Sequence, residues 1–180
     1  MGADLLDSGL EYLRRYGWSV FPVKGKVAVG RWRRFQSERP TESELRRMFE
    51  RPDLTGVAAI LGEVSGDLWA RDFDGAEALP RWAASYPDVA RELPRVQTAR
   101  GVHLYGCWPG VTFADLADGE LRAGGGCYCL LPPSKHPTGH VYTWRIPPPA
   151  TIPRLDPAAV GLNRPWPDVT QSLRVSESQR

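Results

Sequence analysis

The chain has 180 residues, of which 42% are apolar, and a formal net charge of +2, a composition typical of one globular unit. Its three cysteines have neither the number nor the spacing of a disulfide framework or a zinc knuckle. No apolar run approaches the ~20 residues of a membrane span, and the first residues lack the pattern of a signal peptide. We therefore expect a cytoplasmic protein with no membrane partner.

The first third of the chain predicts two helices separated by a strand. Leucines at helical spacing predict a first helix that ends at Gly17. The segment WSVFPV at 18–23 predicts a strand, and a loop with lysines and a basic run follows it. A second helix is predicted over 41–50, because Thr41 and Glu44 have the spacing of a capping box.

The remaining chain predicts mainly strands, at 57–61, 68–73, 101–107, 126–132 and 140–145. A helix is predicted over 75–87, and a short helical piece is expected around 113–119. Helices and strands followed by a mostly stranded half favour an α+β fold over a doubly wound sheet.

Two ranges differ in composition and predict different structures. Residues 1–150 predict one folded domain, whereas 151–180 begins proline-rich and ends polar. We interpret the second range as an extended strap followed by a disordered tail.

The stretch ARDFDG at 70–75 places two carboxylates at the predicted end of a strand. Asp72 and Asp74 are two residues apart, so they face the same side, while Arg71 and Phe73 face the other. Carboxylates suit Mg²⁺ held together with substrate phosphates. A surface turn is the alternative, because Asp-x-Asp-Gly also suits a turn.

Two further clusters contain polar groups that suit phosphate. Arg100 and His103 flank Gly101, and glycine allows a ligand to approach the backbone closely. Glu120 and Arg122 are again two residues apart. The glycine run 124–126 follows, with backbone amides that phosphates could approach, and then a proline-rich turn presents Ser134 and His136.

A basic run with an aromatic residue inside it is the candidate nucleic-acid contact: Arg31, Trp32, Arg33 and Arg34. Such a run can bind phosphates and stack on bases, or it can be a solvated face.

The order of these segments resembles the bifunctional primase-polymerase (prim-pol) domain of the archaeo-eukaryotic primase superfamily. The resemblance runs from about Leu10 to Trp144, through YGWSVFPV, TGVAAILGEVSGDLWARDFDG, VQTARGVHLY, GELRAGGG and PPSKHPTGHVYTW. It implies a catalytic core in which an N-terminal α/β unit is joined to an RNA-recognition-motif-like antiparallel sheet. Residues 1–150 would then be the catalytic domain.

The resemblance also implies roles for the candidate residues. Asp72, Asp74 and Glu120 match the metal-binding positions for Mg²⁺ or Mn²⁺, with glutamate at 120 where the family usually has aspartate. His103 matches the histidine that contacts the incoming nucleotide. Positions that line the family's nucleotide pocket are matched by Arg100, Arg122, Ser134 and His136.

The implied activity is template-directed nucleotidyl transfer by two metal ions, which makes or extends primers for DNA replication. The partners would be a single-stranded DNA template, NTP or dNTP, and a separate replicative helicase, in a plasmid or phage setting. One alternative is a degenerate prim-pol that binds single-stranded DNA or a nucleotide without polymerising it, which Glu120 motivates. A metal-dependent phosphodiesterase is the other, because paired carboxylates and histidines also support hydrolysis.

Overall fold

The computed structural model describes residues 2–124 and 126–166 of the chain. Within these residues the helices are α1 (Gly2–Tyr16), α2 (Glu42–Met48), α3 (Ala78–Ser85) and α4 (Pro87–Glu92). The strands are β1 (Val20–Lys24), β2 (Val27–Ala28), β3 (Gly56–Ile60), β4 (Leu68–Asp74), β5 (Arg95–Gln97), β6 (Gly101–Cys107), β7 (Ala114–Leu116), β8 (Gly119–Ala123), β9 (Tyr128–Leu131) and β10 (Thr143–Ile146).

The strands form two antiparallel sheets. The first has the order β2-β1-β3-β9, and the second has the order β10-β5-β6-β4-β8-β7. The fold is therefore mixed α/β with antiparallel sheets, as the sequence predicted at that level. The RNA-recognition-motif-like arrangement remains a prediction.

Local sequence signals account for the first two helices. The helix α1 ends before Gly17, whose backbone has a φ of 66° and whose N–H donates to the carbonyl of Leu13 at 3.0 Å. A capping box begins α2, because the Glu44 N–H donates to Thr41 Oγ1 at 3.3 Å and the Thr41 N–H donates to Glu44 Oε2 at 2.9 Å. Both helices were predicted.

Two predictions of local structure need correction. The short helical piece expected around 113–119 is wrong, because this segment forms the β7–β8 hairpin, in which Ala117 and Asp118 make the turn between the paired residues Leu116 and Gly119. Pairing of β8 with β4 along its length stabilises the extended form over the helix. The helix expected over 75–87 is shorter, at 78–85, and the sequence analysis missed α4 and β5.

The two faces of β4 contribute to different cores. Ala70 on one face is buried with Trp18 and Tyr105 in the core between the sheets and α1. On the opposite face, Trp69 and Phe73 are buried in a second core with α3 and α4. The large sheet is thus covered on both sides, and only part of its first face is left for a site.

The strap completes the second core. Leu162 is fully buried there, and the indole N–H groups of Trp69 and Trp82 donate to the carbonyls of Leu155 at 3.0 Å and Val160 at 2.8 Å. The described part of 151–180 therefore packs as a strap against 1–150. The predicted tail at 167–180 lies outside the described residues, and the boundary at 150 stays a prediction.

None of the helices in the described ranges is long and apolar enough to cross a bilayer.

Candidate active site

Three candidate side chains lie in one row across the large sheet. Asp72 on β4 is the register partner of His103 on β6 and of Glu120 on β8. Directly opposed residues of antiparallel strands point to the same face, with Cβ atoms about 5 Å apart. The sequence predicted which residues share a face within each strand, such as Asp72 and Asp74. The pairing of β6 and β8 with β4 then brings side chains from three separate segments of the chain together.

This row lies in a cavity of about 420 Å³. The cavity is lined by charged, polar and sulfur-bearing side chains from both sheets: Lys26, Asp72, Asp74, Thr98, Arg100, His103, Glu120, Arg122, Cys127, Tyr128, Cys129, His136 and Tyr142. A drug-sized or nucleotide-sized ligand needs a volume of about 300–1,000 Å³. The cavity is large enough for such a ligand.

Asp72 is the most enclosed carboxylate in the cavity, with its side chain 13% exposed. Its Oδ2 lies 3.4 Å from His103 Nε2 and 3.5 Å from Arg122 Nη2. Burial alone would raise the pKa of Asp72, but the hydrogen bond from His103 and the charges of His103, Arg122 and Arg71 together lower it. The carboxylate is therefore ionised at neutral pH.

Arg122 bridges the two opposed carboxylates. Its Nη2 lies 2.6 Å from Glu120 Oε2 as well as 3.5 Å from Asp72 Oδ2. Burial would lower the pKa of Arg122, but Cys129, Glu120 and Asp72 raise it. A permanent positive charge thus compensates two negative charges on neighbouring strands.

Asp74 lies at the solvent end of the same face. Its Oδ1 is 3.4 Å from Arg100 Nη2, and both side chains are well exposed. This pair contributes little to stability, as exposed pairs do. Both groups are available to a ligand that enters the cavity.

Tyr105 orients the ring of His103. The Tyr105 hydroxyl lies 3.1 Å from His103 Nδ1, and burial, followed by Cys129 and Asp72, raises the pKa of this phenol well above its usual value. The hydroxyl therefore stays protonated, and because the Asp72 carboxylate accepts from Nε2, the hydroxyl donates to Nδ1. In the neutral ring the proton is then on Nε2, the atom that faces Asp72.

Two glycines allow the strands beside Asp72 to come close together. A Cβ at Gly101 would collide with the carbonyl of Phe73, and one at Gly119 would collide with the carbonyl of Asp72. Gly119 also has a φ of 130°. The expectation that Gly101 leaves room for a ligand is wrong, because this glycine leaves room for β4.

The opposite face of β4 carries a buried ion pair. The Arg71 side chain is fully buried, and its Nη2 pairs with Asp118 Oδ1, while Nη1 donates to the carbonyl of Asp72. Asp118 also accepts the N–H of Trp166 at 2.8 Å, and its carbonyl accepts the N–H of Asp74 at 2.9 Å. Arg71 and Asp118 therefore fix the backbone that carries both aspartates.

The structure separates Ser134 from His136. Ser134 is fully buried, and its hydroxyl exchanges hydrogen bonds of 2.9 Å with the N–H and the carbonyl of Val57. It does not line the cavity, so the structure supports a structural role for it. His136 does line the cavity, and its Nδ1 accepts the N–H of Thr138 at 3.2 Å, which leaves the Nε2 proton for a ligand.

The basic run lies outside the cavity wall. The ring of Trp32 stacks on Phe21 with centroids 5.3 Å apart, and Arg34 pairs with Glu44 and, at 3.6 Å, with Glu38. Arg31 and Arg33 are exposed. Trp32 and Arg34 thus already have partners within the protein, although Arg34 is exposed.

Sequence reasoning missed several residues of the cavity. Lys26 lies in the turn between β1 and β2, and Tyr142 precedes β10, so both reach the cavity only through the tertiary fold. The ring of Tyr142 lies 6.2 Å from that of His103. Tyr105 does not line the cavity, but the sequence did offer a signal for it, because it is two residues after His103 on the same strand.

The donor atoms fit a hard divalent cation that is bound together with phosphate oxygens. Asp72 and Glu120 supply carboxylate oxygens at adjacent register positions, and Asp74 lies beyond them on the same face. Across the described parts of the chain, no group of three His, Cys, Asp or Glu side chains is arranged to hold a metal ion by itself. A cation here would need ligands from the substrate and displacement of Arg122.

One protein-family model matches most of the chain. Its description is "Bifunctional DNA primase/polymerase, N-terminal", and the match covers residues 9–157. This range includes every candidate residue discussed above. A search of curated proteins finds no match.

Proposed function

Since the chain belongs to the bifunctional DNA primase/polymerase family, we propose that it transfers nucleotides to a primer strand on a single-stranded DNA template. The observation that carries this proposal is the row of His103, Asp72 and Glu120 in a cavity with Arg100 and other basic groups. A nucleoside triphosphate needs this combination of cationic groups for its phosphates and carboxylates for its metal ions.

Asp72, Asp74 and Glu120 would hold Mg²⁺ or Mn²⁺. When bound, such ions activate the attacking hydroxyl and stabilise charge on the leaving oxygens of a phosphoryl transfer. The three carboxylates supply the negative charge that attracts the cations, and the buried pair behind β4 keeps Asp72 and Asp74 in place.

Arg122 would exchange its partners when substrate binds. Its guanidinium now neutralises Asp72 and Glu120, and a cation between these carboxylates would repel it. Released from them, Arg122 would bind an oxygen of the triphosphate, for which the planar guanidinium is well suited.

His103, Arg100 and His136 would contact the incoming nucleotide. Tyr105 holds the His103 ring with its Nε2 proton toward the floor of the cavity, where it can donate to a phosphate or ribose oxygen. Arg100 is free to leave Asp74, because that exposed pair is weak. His136 also lines the cavity, and its Nε2 proton is available to the same ligand.

A nucleotide- or DNA-binding module without polymerase activity is the second candidate. The observation that favours it is Arg122, which occupies the space between Asp72 and Glu120. If the guanidinium does not leave, the cavity can bind phosphates but not divalent cations.

The test is incubation of the purified chain with single-stranded DNA, labelled NTPs or dNTPs, and Mg²⁺ or Mn²⁺, with and without a primer. We expect template-dependent product that an Asp72→Asn, Asp74→Asn variant does not make. An exposed aspartate on α1 gives the matched control, Asp7→Asn, which should retain full activity. The unprimed reaction reports whether the protein also starts strands.

Two outcomes would overturn the polymerase proposal. Binding of nucleotide or DNA with no product under either metal would support the binding module. Cutting of DNA without added nucleotides would support a phosphodiesterase instead.

A further inference from the structure

Two adjacent loops beside the cavity, the β1–β2 hairpin loop with its strand ends and the loop between β9 and β10, contain all the lysines of the chain. Residues 24–28 hold Lys24 and Lys26, and residues 135–141 hold Lys135. Neither loop contains an aspartate or a glutamate, and the second loop also carries two histidines. We call these two loops together the rim.

Thr55 holds the two loops of the rim side by side. Its Oγ1 accepts the N–H of Gly25 at 2.6 Å, and its carbonyl accepts the N–H of Lys135 at 2.8 Å. Pro137 lies next to Gly25, where a Cβ would be 3.4 Å from the proline ring. The loops therefore form one continuous surface although they are distant in sequence.

The positive charge of the rim is largely uncompensated. Within 2–124 and 126–166, Lys26 and Lys135 make no ion pair. Lys24 pairs with Asp53 at 3.0 Å, but Arg51 lies 3.5 Å from the same carboxylate, so one negative charge faces two cations. The charge on Arg34 in the basic run, by contrast, is balanced by Glu44.

The rim also exposes apolar side chains beside these charges. Val27 is 69% exposed and Val141 is 44% exposed, which is unusual for valine. A surface of lysines with small apolar groups between them fits a polyanion that also has apolar faces, as a nucleic-acid strand does.

The rim connects directly with the floor of the cavity. Lys26 and His136 line the cavity as well as the rim. The ring of His136 lies 6.4 Å from that of Tyr142, which lies 6.2 Å from the ring of His103. A nucleic-acid strand bound along the rim would therefore have its end or its next base near the row of His103, Asp72 and Glu120.

We propose that the rim is the surface on which a single-stranded DNA template or primer docks, in place of the basic run at 31–34. The lysines bind backbone phosphates, and Val27 and Val141 contact sugars or bases. This inference rests on the proposed function, because it names the surface through which that site receives its polymeric substrate.

The test measures binding of a fluorescent single-stranded oligonucleotide by anisotropy at several salt concentrations. The rim variant is Val27→Asp, Lys135→Glu, which changes residues that do not line the cavity. Arg31→Glu, Arg33→Glu tests the basic run, and Arg46→Glu on α2 is the control for a reversed surface charge. Binding of a fluorescent nucleotide to each variant reports whether the cavity is intact.

We expect the rim variant to bind DNA about tenfold or more weakly, and the slope of log K against log salt to fall by about 0.7 for each lost phosphate contact. Its nucleotide binding should be unchanged, and the other two variants should bind DNA as the wild type does. The rim proposal is overturned if the rim variant binds DNA normally, or if the basic-run variant alone loses binding.

The extension assay separates failure of the rim from failure of the polymerase proposal. If the wild type is active and its DNA binding does not depend on the rim, only the rim proposal is overturned. If the wild type is inactive but its DNA binding depends on the rim, the rim proposal is supported and the polymerase proposal is overturned.

Discussion

The two faces of β4 carry charged groups in opposite situations. On the second-core face, Arg71 is fully buried and pairs with Asp118, which is itself 10% exposed. On the cavity face, Glu120 and Arg122 are each about one-third exposed, and the Arg100–Asp74 pair is more exposed still. A closed ion pair thus lies on one side of β4, and an open cluster of charges lies on the other side.

This difference indicates which charges can change partners. A buried ion pair that loses one member leaves an uncompensated charge in a poor solvent, so its geometry is fixed. Charges at the wall of a hydrated cavity can exchange a protein partner for a ligand at low cost. The second-core face therefore determines position, and the cavity face is available for chemistry.

Removal of Arg71 should give the largest loss of stability. Arg71→Met leaves Asp118 buried without its counter-charge, and we expect the free energy of unfolding to fall by about 3–5 kcal/mol, measured by denaturant unfolding. Arg14→Met, which breaks the exposed pair with Glu42, should change the free energy of unfolding far less, because solvent screens that pair. Equal losses in both variants would refute the distinction between the faces.

A double variant tests whether the charge itself causes the loss. Arg71→Met with Asp118→Leu removes both members of the pair, and we expect most of the stability lost in Arg71→Met to return. If the double variant is less stable than Arg71→Met, packing rather than charge explains the effect.

Gly119→Ala should disturb the backbone beneath the site. The new Cβ would collide with the carbonyl of Asp72 at a backbone φ of 130°, and we expect a loss of about 1–3 kcal/mol or more. Gly110 also has a positive φ, of 74°, but has no neighbour within 4 Å of an added Cβ. A Gly110→Ala variant that is equally destabilised would show that the approach to Asp72 is unimportant.

Nucleotide should protect Cys127 from thiol reagents, because Cys127 lines the cavity and is partly exposed. Burial raises the pKa of Cys107 to about 11 and that of Cys129 to about 12, so both should react slowly in the folded protein. We expect about tenfold slower labelling of Cys127 with nucleotide and Mn²⁺, measured by mass spectrometry. Unchanged labelling would place the nucleotide elsewhere.

Acid should weaken the wild type slightly more than Asp72→Asn. The pKa of Asp72 is lower in the folded protein than in the unfolded chain, so this carboxylate stabilises the fold above its unfolded pKa. That contribution is lost as the pH falls through the lower, folded pKa. Between about pH 6 and pH 2, the free energy of unfolding should therefore fall more for the wild type than for Asp72→Asn. Equal falls in the two proteins would contradict the pairing of Asp72.

Local signals were enough to predict much of the fold. The capping box of Thr41 and Glu44 predicted α2, and the apolar residues that open 68–73 predicted β4, with Asp72 and Asp74 on one face. The β7–β8 hairpin was missed, because its two turn residues, Ala117 and Asp118, are not one of the Asn-Gly or Asp-Gly pairs that mark a two-residue hairpin loop. Its extended form depends on pairing with β4, which is distant in sequence.

The composition of the site was harder to predict than the fold. Register places Glu120 opposite Asp72, and no local pattern shows which residues of two strands will be opposed. The buried partner of Arg71 and the hydrogen bonds of Ser134 also depend on tertiary contacts. The family resemblance supplied candidate roles, but only the fold separates Ser134 from the cavity residues.

Single-turnover incorporation of one nucleotide on a primed DNA template tests the central claim most directly. Asp72→Asn should slow incorporation by at least about 100-fold, since a metal ligand supplies several kcal/mol to the transition state. Its thermal unfolding midpoint should stay close to that of the wild type, and Asp7→Asn should match the wild type in both respects. Normal incorporation by Asp72→Asn would contradict the claim that the cavity face of β4 carries the chemistry.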